Sequence, residues 1–121
     1  MQIRVYYEDT DCGNMVYHSN YLNFCERARS ELFFRKNLLP HSNNEFFVVK
    51  ECRANWIKSA KFADILDIKT TLLQKRAASI IMKQEIYREN ELIFEAEFKL
   101  AFLKFGVPAK IPADIFEILE N

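Results

Sequence analysis

The hydrophobic pattern divides the chain into a short strand, one long helix, a series of strands and a terminal helix. Residues 2–7 alternate between polar and apolar side chains, which is the period of a strand with one buried face. A polar stretch then precedes a helical period, with apolar residues at intervals of three and four: Tyr21, Phe24, Cys25, Ala28 and Leu32. We expect this helix to begin at Ser19 or Asn20 and to reach Lys36.

After the helix, the chain reads as strands joined by short connections. Four segments are β-branched, aromatic or alternating, and each predicts a strand: Phe46–Ile57, Ile65–Leu73, Ser79–Tyr87 and Phe94–Phe102. Asn90 can adopt the left-handed conformation of a tight turn between the last two, and Pro112 opens a short terminal helix. The order indicates an α+β fold over residues 1–121, a single domain in which one five-stranded antiparallel sheet packs against the long helix.

The composition narrows the classes of function. The 121 residues are 50% hydrophobic and 14% aromatic, which is sufficient for one core. Lys and Arg (17) balance Asp and Glu (17), so bulk charge does not favour nucleic acid and does permit self-association. The sequence has no apolar run long enough to span a membrane, no secretory signal, and 3 cysteines without metal-ligand spacing. We therefore expect a cytoplasmic protein that binds neither metal nor nucleic acid.

The stretch ahead of the helix, YYEDTDCGNMVYHSNY, carries the candidate chemistry. Asp11 lies in a loop that leads to the helix, and His18 lies where the helix starts. The first N–H groups of a helix lack intrahelical partners and carry partial positive charge, so they can hold an oxyanion. A carboxylate, an oxyanion site and an imidazole suffice for acyl transfer to water. The residues alone leave open that Asp11 and His18 only cap the helix, or that Cys12 supplies a thiol nucleophile.

The same stretch resembles the signature of hotdog-fold acyl-CoA thioesterases of the 4-hydroxybenzoyl-CoA thioesterase family. That signature reads roughly D-T-D-x-x-G-x-V-Y-H-x-x-Y, followed by E-R-A-R on the helix, and it is matched at nearly every position. A weaker match follows at IKSAKFADILDIKT, where Ser59 replaces the usual Pro. The chain looks most like the YbgC branch, which is associated with the Tol-Pal cell-envelope system. The resemblance implies a hotdog fold, in which the curved sheet wraps around one long central helix.

The resemblance also implies a role for each residue of the loop. Asp11, the second Asp of the signature, would be the catalytic carboxylate, acting as nucleophile or as general base toward water. Asp9 would brace the loop, and His18 would bind or polarise the thioester, or position water. Tyr7 would supply the aromatic ring that flanks the catalytic loop. The backbone amides implied for the oxyanion hole are those of Val16, Tyr17 and His18.

Further features bear on the substrate and on assembly. Asn14 stands where the family has Gly, and we expect the loop to keep its shape because Asn tolerates left-handed dihedrals better than most residues. Because the phosphates of CoA require cations, we select local candidates: Lys58, Lys61, Lys75 and Arg76. Members of the family work as homodimers or homotetramers with each active site between subunits, and a single sheet with an uncovered edge agrees with that.

Two classes of function follow. The first is hydrolysis of an acyl-CoA to free acid and CoA, with no cofactor besides the CoA of the substrate. The second is a hotdog scaffold that binds acyl carrier protein or a cell-envelope partner with weak or vestigial turnover, which the change at Asn14 keeps open. A hydratase on this fold would pair His18 with an acid of the helix, and Glu26 matches that requirement poorly.

Overall fold

The computed structural model describes residues 1–120, which form a curled antiparallel sheet, a long helix and a short C-terminal helix. The helices are α1 (Asn20–Phe34) and α2 (Ala113–Leu119), and a 3₁₀ turn (Tyr7–Asp9) precedes α1. The strands are β1 (Gln2–Arg4), β2 (Glu45–Trp56), β3 (Ile65–Lys75), β4 (Ser79–Arg88), β5 (Glu91–Lys104) and the short β6 (Val107–Pro108). Across this part of the chain, neither helix has the length and apolarity to cross a membrane.

The sheet has the order β1-β3-β4-β5-β2, and every neighbouring pair is antiparallel. Strand β6 folds back on the end of β5 and extends the sheet locally. Within the described residues, β2 pairs with β5 alone, so its 12-residue backbone leaves a free edge. The predicted arrangement of five strands and one long helix is confirmed, with β6 as an addition that the sequence did not predict.

The core lies between α1 and the inner face of the sheet. All five predicted apolar positions of α1 are buried, as are the predicted inward residues of β5: Phe94, Ala96, Phe98, Leu100 and Phe102. Full burial of a Phe, Leu or Ile side chain stabilises a fold by about 1.5–3 kcal/mol relative to exposure. The apolar face of α1 and the inward side chains of β5 therefore belong to one core cluster, which holds α1 against the sheet.

Strand β1 is shorter than the alternating pattern predicted. It ends at Arg4, and the chain turns into the 3₁₀ segment because the Asp9 carboxylate accepts a hydrogen bond from the Tyr6 amide at 2.9 Å. Such local bonds compete with strand pairing. Tyr7 is consequently 73% exposed and does not join the buried Val5, so the prediction that these residues share one face of a strand was wrong for Tyr7.

Asparagines in the left-handed conformation shape two of the connections. Glu89 and Asn90 join β4 to β5, with φ values of 50° and 66°, and a type I′ turn requires positive φ at both of these positions. The predicted role of Asn90 is confirmed. Asn37, with φ of 59°, follows α1, which ends at Phe34, two residues before the predicted Lys36.

Ala63 provides a test of backbone strain in the segment IKSAKFADILDIKT. Its φ is 76°, a region that costs a residue with a Cβ roughly 1–2 kcal/mol, whereas Gly adopts it freely at an entropic cost of about 0.5–1 kcal/mol. We expect Ala63→Gly to raise the free energy of unfolding by about 0.5–1 kcal/mol in urea denaturation. The matched change Ala101→Gly, within β5, should lower it instead. Equal losses in both variants would contradict this explanation.

Candidate active site

The Asp11 carboxylate closes its own loop. Its Oδ1 atom accepts hydrogen bonds from the amides of Gly13 at 2.8 Å and Met15 at 3.4 Å. The Asp11 amide donates to the Met15 carbonyl at 2.8 Å, so the backbone is fixed as well. Within residues 1–120 no hydrogen bond reaches Oδ2, and the residue is exposed. The carboxylate is thus held in one orientation with one oxygen free to meet a substrate.

Asp9 is the buried acid of the motif, with only 6% of its surface exposed. Besides the bond from Tyr6 to its carboxylate, its carbonyl accepts hydrogen bonds from the Tyr17 amide at 3.0 Å and the Asn20 side chain at 2.9 Å. These bonds connect the 3₁₀ turn to the first residue of α1. Asp9 therefore braces the loop, in agreement with the role implied for it.

The segment IKSAKFADILDIKT, which carries the weaker match to the family, also holds the loop around Asp11. Ala60 is fully buried, and its carbonyl accepts a hydrogen bond from the Val16 amide at 2.9 Å. The Ala60 amide in turn donates to the Tyr21 hydroxyl of α1, also at 2.9 Å. Burial raises the pKa of Tyr21, which keeps the hydroxyl neutral. Ala60 therefore links the loop around Asp11 to the helix, although Ser59 stands where the family has Pro.

Two of the three amides expected to form the oxyanion hole are already occupied. The Val16 amide donates to Ala60, and the Tyr17 amide donates to Asp9. This argues against Val16 and Tyr17 as donors to a substrate, because each would have to give up a structural bond. The amides of His18 and Ser19 donate no hydrogen bond within residues 1–120, and the Ser19 side chain does not cap α1. The start of the helix thus offers two adjacent free N–H groups.

His18 is exposed and lies between two aromatic rings. The ring centroid of Tyr17 is 4.4 Å away, and that of Trp56 is 6.2 Å away in an edge-on orientation. The Trp56 indole N–H donates to the His18 carbonyl at 2.9 Å, across a separation of 38 residues. Sequence analysis did not identify Trp56, since its place beside the helix depends on the packing of β2. Its only signal was that it is the single Trp of the chain.

Tyr7 lies beside the loop and stacks on Phe62, with ring centroids 3.9 Å apart and planes 11° from parallel. Its carbonyl accepts bonds from the amide and the hydroxyl of Thr10. The ring therefore packs on the segment that contains Phe62, and its hydroxyl makes no hydrogen bond within residues 1–120. A catalytic role for Tyr7 stays a prediction.

Two of the four cations predicted to bind CoA, Lys58 and Lys61, belong to the segment that pairs with the Asp11 loop. Lys61 pairs with Met15 in an isolated β-bridge, which places it directly beside the loop around Asp11. Lys58 forms an exposed ion pair with Glu91, whose pKa is lowered by the hydrogen bond from the Lys58 ammonium group. Lys61 forms no ion pair within the described residues and is the more available of the two.

The other two predicted cations lie at the opposite end of β3. Lys75 forms an ion pair at 2.6 Å with Glu120, beside α2, and Arg76 follows it. The 11 residues of β3 span roughly 33 Å at about 3.3 Å per residue. Because the loop lies near the first residue of β3, the structure does not bring Lys75 or Arg76 to Asp11 of the same chain.

The cysteines are all free thiols. Cys25 is buried in α1, and burial raises its pKa to about 12, so it is protonated at neutral pH and does not serve as a nucleophile. Cys12 is exposed next to Asp11. Over residues 1–120, no three His, Cys, Asp or Glu side chains lie close enough together to hold a metal ion.

Asn14 adopts a φ of 66°, which is the left-handed conformation expected at the family's Gly position. We therefore expect Asn14→Gly to retain thioester hydrolysis. Asn14→Val should lower the free energy of unfolding by about 1–2 kcal/mol, because a β-branched side chain tolerates this conformation poorly. Urea denaturation of both variants measures the effect. A Val variant as stable as the wild type would show that φ at this position does not constrain the loop.

The chain is similar to known proteins along most of its length. The model of the thioesterase superfamily matches residues 13–94, more than half of the chain. The acyl-CoA thioesterase YbgC of Helicobacter pylori is 37% identical over 130 residues, covering 98% of both chains. That of Haemophilus influenzae is 35% identical, covering 93% of this chain and 88% of the relative. A crystal structure from Bartonella henselae, described as a "Probable Thioesterase", matches with a TM-score of 0.87 and 32% identity, covering 93% of this chain and 97% of that one. The chain therefore belongs to the thioesterase superfamily, among the homologues of the YbgC acyl-CoA thioesterases.

Proposed function

We propose that the chain hydrolyses acyl-CoA thioesters to a free acid and CoA, with Asp11 as the reacting carboxylate. The observation that carries this proposal is the position of one free carboxylate oxygen in a loop that folds back on the start of α1. Thr10 and Val16 pair in an antiparallel bridge, which sets Asp11 opposite Met15 and Asp9 opposite Tyr17, so the loop that carries Asp11 is joined to the segment that leads into α1. The free amides of His18 and Ser19 come directly after Tyr17.

The amides of His18 and Ser19 would stabilise the negative charge that develops on the thioester oxygen. Preorganised N–H donors of this kind typically contribute about 100-fold or more to the rate. His18 would place its exposed ring against the thioester or the attacking water, with its backbone fixed by Trp56. This set of groups needs no cofactor besides the CoA of the substrate.

Two routes use the same carboxylate. In the first, Asp11 attacks the thioester carbonyl, the C–S bond breaks, and CoA leaves as a thiolate that takes up a proton. Water then hydrolyses the mixed anhydride and regenerates Asp11. In the second, Asp11 takes a proton from water as the hydroxide attacks the carbonyl, and returns that proton to the departing thiolate. A single turnover in ¹⁸O-labelled water, with enzyme in excess, identifies the first route when the label appears in Asp11, because only attack of water on the Asp11 carbonyl of the mixed anhydride places it there.

We propose Lys61 as the contact for a CoA phosphate. It lies next to Met15 of the loop, and within residues 1–120 it forms no ion pair. Lys58 would have to exchange its partner Glu91 for phosphate. Lys75 and Arg76 could serve only a site formed with a second copy of the chain.

We also propose that the active protein is a homodimer or homotetramer whose sites lie between subunits. The free edge of β2 carries exposed apolar side chains, including Val49 at 49% and Trp56 at 44%. Asp11 is open to water in the single chain, and closure of the site by a second copy would strengthen its electrostatic interactions.

The edge of β2 offers a test of this assembly. Lys50 lies at a bulge, where the register with β5 shifts between Val49 and Glu51. Lys50→Pro should therefore disturb pairing at the outer edge more than pairing with β5. We expect it to yield monomers in analytical ultracentrifugation and to lower hydrolysis by about tenfold or more, whereas Lys50→Ala should change neither. A monomeric wild type with full activity would contradict the proposed assembly.

A panel of acyl-CoAs with short, medium, long and aromatic acyl groups tests the proposed function. Release of free thiol is followed at increasing substrate concentration with purified protein. We expect saturable hydrolysis of at least one member. Stable binding of acyl carrier protein, with no thiol released from any substrate, would instead favour the scaffold function.

A further inference from the structure

A pocket of about 550 Å³ lies between α1, β2 and the inner face of the sheet. Its walls are mostly apolar and include Phe33, Phe47 and Leu100, while Arg29, Glu26 and His41 contribute polar groups. This volume and this mixture of many apolar and few polar groups are typical of small-molecule sites. The catalytic loop does not contribute to the pocket.

Arg29 is the most firmly held polar group of this pocket. Its Nη1 atom donates to the Gln84 side-chain carbonyl at 2.8 Å, and its guanidinium lies over the Phe98 ring, 4.4 Å from the centroid. Gln84 is fully buried and is itself fixed, since its amide nitrogen donates to the Cys25 carbonyl and the Thr70 hydroxyl. These contacts set the plane of the guanidinium.

The remaining donors of Arg29, which is one of the residues that line the pocket, are unpaired. Nε and Nη2 make no hydrogen bond within the described residues, and every buried side-chain nitrogen there has a partner, so neither atom is buried. These two N–H groups point in parallel and form the fork that binds a carboxylate with two hydrogen bonds. Arg29 also forms no ion pair over residues 1–120, although Glu26 lies one turn earlier on α1.

The partial burial of Arg29 also favours the binding of an anion. Burial lowers the pKa of Arg29, which shows that its charge is partly desolvated. Arginine nevertheless stays protonated in proteins, and a desolvated charge is costly without a partner of opposite sign. A carboxylate placed on the free fork would supply that partner.

The position of Arg29 relates the pocket to the proposed reaction. Arg29 lies eleven residues after His18, which corresponds to roughly 16 Å along the helix at about 1.5 Å per residue. An acyl chain whose thioester lies at the start of α1 would reach Arg29 with its far end if it follows the groove between α1 and β2. This step rests on the proposed thioesterase function.

We propose that Arg29 is a specificity residue that selects acyl groups ending in a carboxylate over those ending in a methyl group. The substrates favoured at this site would then be CoA thioesters of dicarboxylic acids. The apolar walls would hold the methylene chain, and the Nε–Nη2 fork would hold the terminal carboxylate.

The test uses non-hydrolysable thioether analogues of acyl-CoA in matched pairs, medium and long, that differ only in a carboxylate or methyl terminus. Isothermal titration calorimetry on the intact chain measures their affinities for wild type, Arg29→Met and the control Arg27→Met. Arg27 is exposed on the same helix, with its guanidinium 5.7 Å from the Phe24 ring. We expect wild type and Arg27→Met to prefer the carboxylate form by about tenfold or more, and Arg29→Met to lose this preference.

Other results would overturn the proposal. Equal affinity of wild type for both termini, or an equal loss of both on Arg29→Met, would assign Arg29 to packing or to an acid of a second copy. If Arg29→Met does not fold, Arg29→Lys keeps the stem and the charge but not the fork, so its preference should fall several-fold, and an unchanged preference would contradict the proposal. If neither analogue binds, the proposed function fails as well, which separates that outcome from the failure of selectivity alone.

Discussion

Replacement of Asp11 by Asn should lower kcat for thioester hydrolysis by at least about 100-fold without unfolding the protein. Both routes require the negative charge of the carboxylate, one to attack the carbonyl and the other to take a proton from water. The Asn side chain keeps an oxygen that can accept the hydrogen bond that Gly13 now donates to Oδ1 at 2.8 Å. The shape of the loop should therefore survive while the reacting group is lost.

The rate is measured by thiol release, and folding is checked by thermal denaturation followed by circular dichroism. Glu8→Gln is the matched control, since Glu8 is an exposed acid in the adjoining 3₁₀ turn and should be dispensable. A rate for Asp11→Asn within tenfold of the wild type would show that another group carries the chemistry. In that case the exposed thiol of Cys12 would be the first alternative to examine.

Replacement of Tyr21 by Phe should lower the free energy of unfolding by about 1–3 kcal/mol. The hydroxyl of Tyr21 is the acceptor for the buried Ala60 amide, and Phe leaves that amide without a partner. The ring itself should stay in place, stacked on Phe94 at 5.2 Å. Because Ala60 also holds the Val16 amide, we expect the loop to loosen and kcat to fall along with stability.

Urea denaturation and thiol release on the same preparation separate the two effects. Tyr87→Phe is the control, since within residues 1–120 the Tyr87 hydroxyl donates only to the Glu85 carboxylate on the sheet, and its loss should cost less than about 0.5 kcal/mol. Equal stability of Tyr21→Phe and Tyr87→Phe would mean that the bond to Ala60 does not anchor the loop.

Long periodic segments made the fold predictable from the sequence. The spacing of Phe24, Cys25 and Ala28 and the alternation from Phe94 to Phe102 depend only on local geometry, and both faces are buried as expected. The end of β1 was not predictable in the same way. There the Asp9 carboxylate accepts a hydrogen bond from the Tyr6 amide, and a turn takes the place of strand pairing.

Some features of the candidate site were predictable from the sequence, and others depend on partners that are distant along the chain. The motif placed Asp11, Asp9 and His18 in one segment ahead of the helix, and in the structure Asp9 connects that segment to Asn20, the first residue of α1. It did not reveal that the amides of Val16 and Tyr17 are occupied, because the partner of Val16 is Ala60, far along the chain. For the same reason the single Trp gave no sign of its bond to the His18 carbonyl.

Contacts with residues that are distant in sequence also determine which charged side chains are available to a substrate. From the sequence, Lys75 and Arg76 were predicted to bind CoA. The direction and length of β3 show instead that they lie at the end of this strand away from the Asp11 loop. Arg29 belonged to the helical signature, but its bond to Gln84 of β4 and its open fork depend on the packing of α1 against the sheet. Hydrogen bonding between elements, rather than residue type, determines which groups are left for a substrate.

A mass balance on the reaction of purified wild-type protein with an acyl-CoA that it binds tests the proposed thioester hydrolysis directly. Mass spectrometry follows the acyl-CoA, the free acid, free CoA and the protein itself through many turnovers. We expect acid and CoA to appear in equal amounts, in large excess over the protein, until the substrate is consumed. Acyl-CoA that stays intact while bound, or one equivalent of CoA released with the acyl group retained on the protein, would contradict it.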